Sequence, residues 1–278
     1  MTVVIDPAFN PVPSLARQVT VSVAADSGEA AAVAVFVTAE GDLPVGLPEG
    51  LDRDALAAAG FSGKPGQTLR LPGAQLRVLV GVGGGILTVA QLRDAVAAFA
   101  RAAGENAWIA VHLGEVIAAG AVGAAHASQA ATEGALLARY RYDALKQDPK
   151  TVQLEKLTLV LSEEAAEEAE LGIERGLILA RTASLARDLA NTPPRHLSAV
   201  KFAEIVQHVG PEYGLEIEVF DREQLIELGC GGLLGVNAGS TEEPRMIKLR
   251  YTPSNATDAT AHLALVGKGI MYDSGGIS

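Results

Sequence analysis

The chain has 278 residues, 49% apolar and 20% charged, which excludes disorder over its whole length and is enough for about two domains at roughly 150 residues each. With 22 Lys and Arg against 33 Asp and Glu, the net charge is −11 and no basic patch stands out, so a nucleic-acid partner is not expected. One cysteine, Cys230, excludes an intramolecular disulfide and a cysteine-based zinc finger, and is compatible with a reducing cytoplasm.

From the N-terminus, Asp6, Asn10, Pro11 and Pro13 replace the basic leader and apolar run of a signal peptide, which points to a cytoplasmic protein. Val19, Val21 and Val23 alternate and predict a strand over 18–24. The more continuous apolar run 31–38 suits a central strand, and 76–82 and 108–112 repeat that character. Between them, Leu92, Val96 and Phe99 recur at helical spacing and predict a helix over 88–103, ended by Gly104. Residues 107–125 are apolar enough to suggest a membrane span. They contain His112 and Glu115, however, and read better as a buried strand followed by a helix. A long helix is predicted over 118–146, closed by Asp148-Pro149, and a further strand over 153–162. Strand alternating with helix implies a largely parallel sheet covered by helices.

The acidic run Glu163, Glu164, Glu167, Glu168 and Glu170 suits a helix N-terminus. That helix continues through Leu171, Ile178, Leu185 and Leu189 to the stop at Asn191-Thr192-Pro193-Pro194. A domain boundary is placed at about residue 165, giving domains 1–165 and 166–278. In the second, Ser198 caps a helix to His208, 215–220 is a strand, and 222–228 is a short helix leading into the glycine-rich 229–235. Strands are predicted at 245–251 and 262–266. The succession then stops in a glycine-rich turn with no covering helix, so the sequence reads as the front part of something longer.

Chemistry concentrates in Gly267-Lys268-Gly269-Ile270-Met271-Tyr272-Asp273-Ser274-Gly275-Gly276. The strand over 262–266 is expected to deliver Lys268 at its C-terminal end, where open α/β sheets place ligands. Lys268 and Asp273 form either a salt bridge pinning a glycine-rich loop or part of a metal site. In the second case the lysine must be neutral, a state that burial and an adjacent dication favour.

The segment from Val266 to Ser278, VGKGIMYDSGGIS, resembles the first metal-binding signature of the leucyl aminopeptidase (cytosol aminopeptidase) family, usually VGKGITFDSGGIS. Met271-Tyr272 depart from it at positions that do not ligate metal. Residues 186–194, 231–245 and 133–143 are similar to further family stretches, so the resemblance covers roughly 75–278. It implies an N-terminal macro-like α/β domain followed by the first part of an α/β metallopeptidase domain. It also implies a homohexamer with two divalent metal ions per subunit, Mn²⁺ or Zn²⁺, acting on peptides with a free N-terminus, leucine preferred. By motif position Lys268 corresponds to a ligand of one metal and Asp273 to a carboxylate bridging both. The family's other ligands, its catalytic lysine and its arginine, which holds a bicarbonate, correspond to positions beyond Ser278. No catalytic residue is therefore assigned here, and the 278 residues alone are expected to be inactive. In the intact family site the metals hold the substrate amine, polarise the scissile carbonyl and activate water.

The alternative is an inactive ligand-binding or assembly module, with ADP-ribose held at Gly81-Val82-Gly83-Gly84-Gly85. That stretch lacks the last glycine of GxGxxG and the GK[ST] of a P-loop, and reads more simply as a tight strand-to-helix turn. His112, His126, His196, His208 and His262 show no paired spacing and are assigned structural roles. Cys230 is read as a small packed residue and Trp108 as core.

Overall fold

The computed structural model describes residues 9–45, 47–85, 87–120, 122–257 and 260–271. They fall into two compact units, one of Val12–Asp188 and one of residues 9–11 with those from Leu189 onward.

The first unit contains β1 (Thr20–Ala24), β2 (Ala32–Thr38), α1 (Arg53–Ala58), β3 (Thr68–Leu71), β4 (Leu76–Gly83), α2 (Val89–Ala102), β5 (Trp108–His112), α3 (Gly114–Ala118), α4 (Ala124–Ala138) and β6 (Lys156–Val160). It also takes most of α5 (Ala166–Asn191). The strands form one sheet in the order β1-β6-β5-β2-β4-β3, parallel except where β3 pairs antiparallel with β4. The expected parallel sheet is therefore present, with β2 central.

Strand β2 is buried on both faces, which explains its unbroken apolar sequence. Ala32 and Ala34 join Val78, Val80, Ile109, Val111, Leu157 and Leu159 under Leu92, Val96 and Phe99 of α2 and the alanines of α4. On the other face Val37 and Leu79 meet Leu56 of α1 and Phe61. Fully burying a side chain such as Phe99 contributes about 1.5–3 kcal/mol.

Both ends of α2 are secured by side chains. Thr88 Oγ1 accepts from the Gln91 N–H at 3.3 Å while Gln91 Oε1 accepts from the Thr88 N–H at 2.9 Å, a reciprocal cap. At the other end the helix stops at Ala102, but Gly104 is not left-handed as a terminating glycine would be. The carbonyls there are held instead by the buried Arg139, which donates to Ala103 O at 3.1 Å, Gly104 O at 2.9 Å, Asn106 O at 3.1 Å and Val152 O at 2.8 Å. Burial, aided by neighbouring Arg141, lowers the guanidinium's pKa, and the four carbonyls face a group that stays charged regardless.

The helix expected over 118–146 is shorter and broken. α3 ends before Gly120, which is left-handed, and α4 spans only Ala124–Ala138. Arg139 leaves the helix and its side chain closes α2, so α4 ends where its own sequence has a use for the next residue. The strand expected over 153–162 narrows to Lys156–Val160, while β3 and α1 were not anticipated.

Helix–helix contacts are backbone-close because the facing residues are small. A Cβ on Gly134 would strike the Arg93 carbonyl of α2, and one on Gly172 of α5 would strike the Ala125 carbonyl of α4. A Cβ on Gly176 would lie 2.8 Å from Thr132 Cβ. The buried face of α5 is thus Ala169, Gly172, Ile173, Gly176 and Ala180, whereas Leu171 and Ile178 are 53% and 58% exposed. The acidic run begins with a 3-10 turn, Glu163–Ala165, ahead of α5. The Glu164 carboxyl is held below its usual range by its own backbone N–H and by the Ser162 side chain.

In the second unit α6 (Ala199–Val209) starts at Ser198, whose Oγ accepts from the Lys201 N–H at 3.2 Å. Strand β7 (Glu216–Phe220) precedes α7 (Arg222–Glu227), which Asp221 and Gln224 cap reciprocally. The glycine-rich stretch adds a helix not anticipated from its composition, α8 (Gly231–Asn237), and β8 (Met246–Arg250) pairs antiparallel with β7. Phe9 packs on the His196 ring at 4.4 Å, and Thr192 Oγ1 donates to Pro11 O at 2.9 Å. Among the described residues no helix is long and apolar enough to cross a membrane.

Candidate functional site

The strand expected at 262–266 is absent: residues 261–271 are irregular, and Leu263, Leu265 and Val266 are 85%, 88% and 98% exposed. Its composition suits a strand, but among the described residues it pairs with neither β7 nor β8, which pair with each other. Lys268 consequently stands exposed on an irregular segment rather than at a strand end. Asp273 lies outside the described residues, as do Tyr272, Ser274, Gly275 and Gly276.

Just before those residues, Ile270 and Met271 line a cleft of about 330 Å³ with residues 189–194, the end of α5 and its proline stop. That volume is at the low end for small-molecule sites. Among the described residues, none of the lining side chains is titratable. Asn191 and Thr192, at the helix stop, form part of the cleft wall, and the Thr192 hydroxyl donates to Pro11 O.

No group of three or more His, Cys, Asp or Glu able to hold a metal exists among the described residues. Of the two expected ligands, Lys268 is exposed and Asp273 lies outside the described residues. The described donor set therefore does not by itself fit a two-metal centre.

Of the five histidines, only His196 has a packing role; His112, His126, His208 and His262 are exposed. Cys230 is half-buried at the N-cap of α8. Trp108 sits at the rim of the core rather than inside it. Its indole N–H donates to Thr158 Oγ1 at 2.9 Å, and Lys156 Nζ lies 3.8 Å from the ring centroid. At the rim the indole keeps its hydrogen bond while one face meets a cation.

Two of the five positions 81–85, Gly81 and Gly83, lie within the C-terminal end of β4, and the chain itself packs against them. Gly81 N–H donates to Gln67 O at 2.9 Å and Gly83 N–H to Gly63 O at 2.8 Å. A Cβ on Gly81 would run into the Lys64 carbonyl, and Gly63 itself is left-handed and within 2.5 Å of Thr38 O at its would-be Cβ. Gly81 and Gly83 therefore serve close packing within the strand, and the turn expected over 81–85 begins only after Gly83.

Two family models match the chain in order. The N-terminal domain of the cytosol aminopeptidase family matches residues 34–149, and its catalytic domain matches residues 184–278. Probable cytosol aminopeptidases of Streptomyces avermitilis and Clavibacter michiganensis are 34% and 36% identical, over 93% and 90% of this chain but 55% and 50% of their own. The bottromycin maturation enzyme BotP in complex with Mn is similar in structure, with a TM-score of 0.65 at 30% identity over 81% of this chain and 46% of that one. A tomato leucine aminopeptidase mutant superposes with a TM-score of 0.72 over 84% of this chain and 50% of that one; at 23% identity it speaks for the fold alone. The chain spans about half the length of the relatives it matches. An N-terminal α/β domain followed by part of a catalytic domain, matched over about three quarters of the sequence, makes this chain a member of the cytosol aminopeptidase family.

Proposed function

We propose that the intact protein is a metal-dependent aminopeptidase that releases N-terminal amino acids, leucine preferentially, from peptides. The observation that carries this reading is the catalytic-domain match over residues 184–278, which includes the Lys268–Asp273 signature. In this proposal residues 1–165 form the macro-like domain and residues 166–278 open the catalytic one. Lys268 and Asp273 are metal ligands, the metals are two Mn²⁺ or Zn²⁺ ions per subunit, and the enzyme is a cytoplasmic homohexamer. The BotP neighbour, described in complex with Mn, favours a divalent metal and manganese in particular.

Metal ions of this kind supply a water nucleophile near neutral pH and a Lewis acid for the scissile carbonyl. The family's further ligands correspond to positions outside these 278 residues, and in this proposal the 278 residues alone lack peptidase activity. The test is hydrolysis of leucyl-p-nitroanilide by the intact protein and by its Lys268→Ala and Asp273→Ala variants. Losses above about 100-fold are expected, since even indirect supports of metal ligands cost 10–100-fold. Near-parental turnover in both variants would overturn the ligand assignment.

A further inference from the structure

We draw no further inference here: the strongest candidate, the exposed apolar face of α5 carrying Leu171, Ile178 and Leu179, carries nothing because nothing in the structure shows what covers it.

Discussion

The backbone N–H of Ser14 donates a 2.7 Å hydrogen bond to Asp188 Oδ2, joining residues 174 apart in sequence. Asp188 is fully buried, and its other oxygen accepts from the Tyr140 hydroxyl at 3.0 Å. One carboxylate near the end of α5 thus holds both the start of the first unit and the segment that leaves α4. Asp188→Ala strands a buried backbone donor and is expected to destabilise the protein by about 1–3 kcal/mol. Tyr140→Phe removes one hydrogen bond and should cost about 1 kcal/mol. Urea unfolding of the two variants checks this order; equal stability of Asp188→Ala and the parent would refute it.

The contact of α5 with α4 gives a second expectation. Alanine is favoured over glycine inside a helix by about 1 kcal/mol, so propensity alone predicts that Gly172→Ala stabilises. The Ala125 carbonyl occupies the place of the added methyl, and overpacking typically costs about 1–3 kcal/mol. The steric term should win, lowering the thermal midpoint. A raised midpoint would show that the two helices are not in close contact at Gly172.

Gly81, inside β4, and Gly84, just after it, differ in what surrounds them. Gly81→Ala meets the Lys64 carbonyl and should destabilise, whereas Gly84, with open space around its would-be Cβ, should accept alanine within about 0.5 kcal/mol. Chemical denaturation of both variants gives the comparison. A Gly81→Ala protein as stable as Gly84→Ala would remove the packing explanation.

His112 supplies a pH dependence. Burial lowers its pKa below 6.5, outweighing the raising effect of Glu115, so the unfolded chain binds its proton more readily than the folded one. Stability from this residue is therefore complete above the unfolded value and declines as the pH falls through 6.5 toward the folded value. The ring is exposed, so solvent screening keeps the effect small. His112→Gln should flatten the decline in stability between pH 7 and pH 5, as read by unfolding midpoints. An unchanged slope would assign the decline to other groups.

The elements legible in the sequence were those whose side chains face one core. Strands β2, β4 and β5 announced themselves as apolar runs, and α2 by Leu92, Val96 and Phe99. Helix α5 was legible as a helix, but its orientation was not. Large residues ordinarily point inward, whereas here Gly172 and Gly176 face α4 and leave Leu171 and Ile178 outside. The end of α4 was missed because Arg139 acts on α2 through carbonyls more than 30 residues away, a contact without local pattern. Residues 262–266 have strand composition, but a strand also needs a partner, and none of the described residues provides one. The metal signature was legible as a motif, since it depends on residue identity. The strand expected to present Lys268 is not formed, and Lys268 is exposed.

The most direct test of aminopeptidase function is release of leucine by the intact protein from a leucyl peptide and from its N-acetylated counterpart, with Mn²⁺ present and after chelation. The account predicts release only from the peptide with a free amine, abolished by chelation and restored by Mn²⁺. Equal cleavage of the acetylated peptide, or turnover indifferent to metal, would contradict it.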